Sequence, residues 1–555
     1  MKRNFLFLIL TLFIVNLSVL ASKESQGISY YNAGFPLVAK PLLINELTTD
    51  VSTKAETCFY LGNIYFSENK IDSAEIYFKK GMVDKDDNVL STIGLAMLKI
   101  KTNQKEADLE IQNVLKLRSA KKNQDFIIAA ANAYLVNGQI DQAVIYQDKA
   151  KDIKTKYAPL AVLEGDIELA KKDVGNACSN YELAILYDPN CKEAYVKYAR
   201  AYKNVNTTLA IEKLNQLKLK EPTFLLVDKE LADIYYSNNE FDKAAQFYAS
   251  YLKSGNSNAQ DLVKYAMTLF LNHDFANSLK IANDGLQKEP RNPAFNRLAM
   301  YNNTDLKQYD EAIKSADSFF NKSDKPDFTY LDYRYYGMAL RQTKQIPLAI
   351  EQYKKAIDAD SSHVELWKDI SDMYTDINDF DNAIVSYNKY VSTLSEDKKT
   401  SDMYYDLGKM YYSVGSSTAK DTLSKGKTDD NIVLLKKNAL LKADSVFAKV
   451  ITMEPSNYRG YRMRALTNFA LDPESTQGLA KPFYEQTLTI VVAKNDVRYN
   501  PIIIESERYL GYYYYLKKEY TESKVHFNKI LAIEPTNEFA LKAIAGIDKL
   551  IKGKK

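Results

Sequence analysis

The stretch YLGNIYFSENKIDSAEIYFKKG, residues 60–81, sets large and small residues at fixed offsets: Leu61, Gly62 and Tyr65, then Ala74, Phe78 and Gly81. Apolar residues recur at i, i+3, i+4 and i+7 on both sides of the polar run SENKID, so the spacing predicts two amphipathic helices joined by a short turn. The same offsets return in LADIYYSNNEFDKAAQFYASY, residues 231–251, as Leu231, Ala232, Tyr235, Ala244, Tyr248 and Tyr251. They return again at Ile370, Ser371, Tyr374, Ala383, Tyr387 and Tyr390, and at Leu407, Gly408 and Tyr411. A single helix pair buries too little apolar surface to stand alone, so its repetition predicts a stack in which neighbours complete one another's core.

Prolines 189, 222, 290, 455 and 535 close several of these units. Pro189 to Pro222 spans one period of about 34 residues and Pro222 to Pro290 two. With the large–small–large and small–aromatic–small residues quoted above, this pattern resembles the tetratricopeptide repeat. The resemblance covers nearly all of the chain after its first residues, roughly fourteen units from about Gly27 to Asn537. It implies an all-α fold, a right-handed α-solenoid of stacked helix-turn-helix units with a C-terminal capping helix. The expected divisions are a signal peptide over 1–21, N-terminal units over 22–118, a central array over 119–400, C-terminal units over 401–537 with an insertion near 416–438, and a capping helix with a basic tail over 538–555.

The start of the chain reads as an export signal: Lys2 and Arg3, an apolar run from Phe5 to Leu20, and small residues before an expected cut after Ala21. No cysteine follows to carry a lipid, and no later segment is apolar enough to span a bilayer. The expected product is soluble and exported, in the periplasm or at the outer membrane. A composition rich in Tyr, Asn and Lys is similar to that of exported Bacteroidota proteins with these repeats. In that setting Thr422, within DTL, resembles a short O-glycosylation site.

The 74 basic and 71 acidic side chains leave a net charge of +3, which excludes the general electrostatic field that nucleic-acid binding needs. Histidines 273, 363 and 526 fall in different units without metal-ligand spacing, and neither a Gly-rich phosphate loop nor GxSxG occurs. Assigning the repeats leaves no block for a catalytic domain, so no enzymatic activity, cofactor or metal is expected. Helical rise separates Cys178 from Cys191 by about 15–20 Å, beyond the roughly 7 Å bridging limit. All three cysteines are expected to be free thiols.

The forty-two tyrosines include four in a row, Tyr512–Tyr515. Leu510 and Gly511 take the large and small positions, which places Tyr514 in the core and Tyr513 against the preceding unit. Tyr512 and Tyr515 are left on the remaining face. In the family that face lines a concave groove. The resemblance implies a groove presenting Tyr405, Lys409 and Tyr412, then Arg459, Arg462 and Phe469, then Arg508, Tyr512 and Tyr515, a basic and aromatic lining suited to a protein or peptide partner. The family's carboxylate clamp is incomplete, with Phe59 and Asn63 where Lys and Asn are wanted. The expected function is an exported protein-interaction scaffold with peripheral attachment to an envelope complex. The alternatives are a glycan binder similar to the starch-binding outer-membrane family and a structural spacer.

Overall fold

The computed structural model describes residues 25–49, 54–82, 88–255, 257–417 and 429–552. Expectations for the signal segment, for Thr422 and for the middle of the 416–438 insertion lie outside these residues. The described residues form α-helices joined by short turns, with no strand among them.

The chain divides into two compact units, 1–290 and 291–555. In unit 1 the helices follow as pairs: α1 Gln26–Asn32 with α2 Pro36–Thr49, α3 Lys54–Ser67 with α4 Ile71–Lys80, α5 Val89–Lys99 with α6 Gln104–Val114, and α7 Gln124–Val136 with α8 Ile140–Lys151. They continue with α9 Ala158–Ala170 and α10 Val174–Tyr187, α11 Lys192–Tyr202 and α12 Thr207–Lys220, α13 Leu226–Ser237 and α14 Phe241–Leu252, and α15 Ala259–Leu271 and α16 Phe275–Lys288. Unit 2 runs through α17 Pro293–Asp305 and α18 Tyr309–Lys322, α19 Tyr330–Gln342 and α20 Ile346–Ala359, and α21 Leu366–Asp376 and α22 Phe380–Thr393. The pairs α23 Ser401–Ser416 and α24 Asp429–Met453, α25 Tyr458–Leu471 and α26 Lys481–Ala493, and α27 Asn500–Leu516 and α28 Tyr520–Ile533 follow, and α29 Glu538–Lys552 ends the series. This is the expected all-α solenoid of consecutive helix pairs.

The small residues do the work their spacing predicts. Ser278, Ser371 and Ser523 each donate a hydroxyl hydrogen bond to the backbone carbonyl of the small residue opposite, or of its partner helix, at 2.7, 2.8 and 2.7 Å. Only small side chains let two helices approach closely enough for that bond. Gly62 and Gly94 both lie against the buried ring of Phe78, which would stand 2.2 and 2.4 Å from a β-carbon added at either glycine. One ring thereby locks two successive first helices. Phe447 plays this part against Gly408, and Phe527 against Gly511.

In nine pairs the turn between the helices carries one left-handed residue at the same place in the repeat, while the turns after α5 and α11 carry none. It is Asn69, Gly138, Asn239 and Asn378 where the sequence shows a turn-forming residue. The same place holds Lys172, His273, Lys307, Lys344 and Lys518 elsewhere, with φ between 59° and 67°. A side chain bearing a β-carbon is strained there, and Asn and Gly least so. His273 is therefore a turn residue.

Candidate functional site

The first helix of each pair presents one face to its partner helix and another away from it, and the nine groove residues expected from the sequence lie on α23, α25 and α27 of unit 2. The structure gathers them into two groups. Around Tyr405, Arg459 lies over the ring at 4.9 Å and Lys409 at 5.2 Å, while Phe447 packs below at 5.9 Å. Arg459 is paired with Asp402 at 2.5 Å and Lys409 with Asp406 at 2.8 Å. In the second group Arg462 makes a two-pronged ion pair with Glu505, at 3.2 Å from Nε and 2.7 Å from Nη2. Tyr412 sits beside that pair, and burial pushes its hydroxyl pKa up, with Glu505 adding to the effect.

The expected basic lining is thus corrected in its charge. Arg459, Arg462 and Lys409 are neutralised by acids of this chain: Arg459 and Arg462 by carboxylates of neighbouring first helices, and Lys409 by Asp406 one turn earlier on its own helix. Arg508 differs: it is exposed, it lies 5.9 Å from the Phe539 ring, and no carboxylate pairs with it among the described residues. Beside Arg508 and the paired Lys409, the expected groove residues that stay most open are aromatic. Phe469, Tyr512 and Tyr515 keep 37%, 37% and 39% of their surface exposed.

The tyrosine run is a helical segment of α27. Tyr512 and Tyr515 are exposed as expected, and Tyr513 packs on the preceding pair, its ring 2.5 Å from where a β-carbon of Gly478 would stand. Tyr514 corrects the core assignment: it is half-buried and stacks on His526 at 5.3 Å instead of entering the core. The buried ring at this level is Tyr509, stacked on Tyr484 at 4.6 Å. The insertion LDPESTQGLAKP folds on Asp472, whose carboxylate accepts backbone N–H bonds from Thr476, Gln477 and Gly478 at 3.0, 2.9 and 2.8 Å. That loop supplies Gly478 to Tyr513. The other insertion lengthens its pair: α24 runs for 25 residues.

Sequence reasoning missed the corresponding face of unit 1. There the residue after the small position of one first helix pairs with the residue two before the small position of the next. Asp166 pairs with Lys197, Arg200 with Glu230 at 2.6 Å, and Asp233 with Lys264 at 2.9 Å. In unit 2 the same relation places Tyr301 on Tyr335, ring centroids 4.1 Å apart. Reading the repeats in register, column by column, exposes the alternation of sign. A search within single units cannot.

In unit 1 the first pair packs into this region, with Ala33, Phe35 and Val38 in one buried cluster with Tyr195, Val196 and Ala199 of α11. The turn after α1 lies between α3 and α11, helices four pairs apart. Tyr31 meets Tyr60 at 4.9 Å, Tyr30 and Phe35 flank Phe224 at 5.7 and 6.0 Å, and Arg200 covers Phe35 at 5.1 Å. Burial pushes the Tyr31 hydroxyl up to about 12, with the Glu193 carboxylate adding to it.

No group of His, Cys, Asp and Glu among the described residues could hold a metal ion, and no described helix is long and apolar enough to cross a membrane. Cys58, Cys178 and Cys191 are free thiols, and burial pushes Cys178 and Cys191 up to about 11, which leaves little thiolate near neutrality.

A sequence model of the tetratricopeptide repeat matches residues 55–82, the α3–α4 pair from which the repeat was read. Among solved structures, the C-terminal part of a TPR repeat-containing protein from Cytophaga hutchinsonii is 28% identical, covering 51% of this chain and 99% of its own, with a TM-score of 0.38. A chain of the Cut9–Hcn1 APC/C hetero-tetramer is 15% identical and covers 91% of this chain and 98% of its own, with a TM-score of 0.29. No curated protein matches.

Proposed function

We propose that the protein is a non-enzymatic interaction scaffold that holds a segment of a partner protein on the first-helix face of unit 2, with the partner's apolar side chains set among Phe469, Tyr512 and Tyr515. The observation that carries this reading is the contrast on that face between neutralised arginines and exposed rings. Aromatic side chains supply large contact area at low entropic cost, which is why they anchor binding interfaces. Arg459, paired with Asp402 and lying over Tyr405, and Arg462, paired with Glu505, extend the same face together with Lys409, Tyr412 and Arg508. The tetratricopeptide resemblance supports the reading, since that architecture serves as a protein-binding scaffold. Export through the amino-terminal apolar segment and attachment to an envelope complex belong to the same proposal.

A photo-crosslinking residue at Tyr512, with a control at the exposed Glu522 on α28, tests it in living cells. A discrete protein captured at position 512 and lost on Tyr515→Ala supports the groove. The same background at both positions would remove it.

A further inference from the structure

Along the first-helix faces, a cation of one first helix meets a carboxylate of the next: Arg200 with Glu230 at 2.6 Å in unit 1, and Arg297 with Asp332 and Arg462 with Glu505, both at 2.7 Å, in unit 2. Arg508 breaks this series. It stands in α27 where Arg462 stands in α25, three residues before a buried small residue, Gly511 and Ala465 respectively. One period of about 34 residues beyond Glu505, however, the chain holds Phe539. The Arg508 guanidinium therefore lies 5.9 Å from a ring where its counterpart meets a carboxylate, and it is exposed.

The helix that supplies the ring adds charge of the same sign. Phe539, Lys542, Gly546 and Lys549 follow at steps of three and four, so they form one exposed stripe of α29. Lys549 has no carboxylate partner among the described residues. Lys542 pairs with Glu538 at 2.9 Å, but both side chains are largely exposed, and such a pair offsets little in water. The other acid of α29, Asp548, is turned to Lys524 of α28 at 2.6 Å. Gly546 leaves room on the stripe, since nothing stands within 4 Å of a β-carbon added there. On α27 Arg508, Tyr512 and Tyr515 are spaced in the same way, and the contact of Arg508 with Phe539 joins the two stripes. Phe539 keeps 48% of its surface exposed, more than Tyr512 or Tyr515. This end of unit 2 thus combines open rings with cations that no acid among the described residues offsets.

We propose that this end of the face recognises an acidic residue within the partner's segment: a glutamate or aspartate side chain accepts hydrogen bonds from the Arg508 guanidinium while a neighbouring apolar side chain of the same segment packs on Tyr512, Tyr515 and Phe539. Charge complementarity names this class of partner. An arginine–carboxylate pair is two-pronged and directional, and rings around it limit its contact with water, so it gains more there than in open solvent. Lys542 and Lys549 attract the same sign of charge without fixing its place. The inference deepens the function proposed for this face and rests on it.

The test screens random dodecapeptides displayed on phage, joined through their C-termini so that only side chains supply carboxylates, against the full chain. Enriched peptides should carry Asp or Glu close to an apolar or aromatic residue. Fluorescent synthetic copies should bind Arg508→Glu roughly tenfold more weakly by anisotropy, because the reversal turns attraction into repulsion. Tyr512→Ala should weaken the same peptides, and Lys280→Glu, a reversal at an exposed position on α16 of unit 1, should not. Enriched peptides with no acidic preference, or indifferent to Arg508→Glu, would overturn the inference; if Tyr512→Ala still weakens them, the groove stands and only the inference falls. Acidic peptides weakened equally by Lys280→Glu report a general attraction and overturn it too. An absence of enrichment would also overturn it, and leave the groove to the crosslinking experiment. Circular dichroism of Arg508→Glu should match the unsubstituted chain, and lost helicity would overturn the inference by making the guanidinium part of the fold.

Discussion

Units 1 and 2 are built from the same helix pair, yet they use its outward first-helix face in opposite ways. In unit 1 that face is satisfied from within: carboxylates and cations of successive helices pair along it, and the rings of residues 30–35 fill what is left. In unit 2 Arg459, Arg462 and Lys409 are also paired, but Arg508 has no carboxylate partner among the described residues and Phe469, Tyr512 and Tyr515 stay more than a third exposed. The difference shows that repeat identity and surface function are set by separate residues. The small and large positions that hold a pair together are nearly constant, while the positions beside them are free to become a salt-bridge column, a ring stack or an open aromatic patch.

The largest expected effect concerns the shared part. Phe78→Ala in unit 1 and Phe447→Ala in unit 2 each remove a buried ring that locks a glycine-bearing helix, and each should cost about 3–5 kcal/mol. If the units unfold separately, chemical denaturation of each variant will move one transition and leave the other in place. A common shift would show that the two are coupled.

Arg462→Ala, which strands the largely buried Glu505, should cost about 1–3 kcal/mol, whereas Tyr512→Ala should stay within about 0.5 kcal/mol of the unsubstituted chain while lowering partner capture at least tenfold. Thermal melts read beside capture yields separate the two roles. A Tyr512→Ala chain that captures its partner normally would make unit 2 as closed as unit 1.

Smaller and of opposite sign is the effect of relieving strained turns. Lys172→Gly in unit 1 and Lys344→Gly in unit 2 replace a left-handed lysine with the residue that adopts that backbone freely, and each should raise stability by roughly 1 kcal/mol. Differential scanning calorimetry of each variant would detect it.

The smallest effect is acid sensitivity. In unit 1 the hydrogen bond from Lys40, with that from Lys70, holds the Glu68 carboxyl below its usual range and ties α2 to α3. In unit 2 burial works to raise the Asp472 carboxyl, but the Thr476 hydroxyl and the backbone N–H groups of Gly478, Gln477 and Leu479 outweigh it and hold it low. A carboxyl depressed by folding stabilises the fold above its unfolded value of about 4, and that contribution is lost as the pH falls through the folded value. Glu68→Gln and Asp472→Asn should therefore each flatten the fall in stability between about pH 4 and 2. An unchanged acid profile would remove these carboxylates as contributors.

Much of this was legible in the sequence. The spacing of Leu61, Gly62, Ala74 and Phe78 determined the helix pair and its close contact, since a helix side chain's direction follows from its place in a 3.6-residue turn. The same local rule set Tyr512 and Tyr515 outward and Tyr513 toward the preceding pair. It also located the turns, where Asn69 and Gly138 announce a left-handed residue, though the lysines at the same place in other repeats were silent. Periodicity says which way a side chain points and not what it meets. The pairing of Arg462 with Glu505, the stacking of Tyr514 on His526 in place of core burial, and the column from Asp166 to Lys264 depend on which helices lie side by side and at what level. The contact of Phe35 with Arg200 joins residues far apart in the chain, and nothing in the local pattern of either points to the other. Only the packed unit decides such meetings, because they arise from the sum of many small pair-to-pair rotations, each invisible in the sequence.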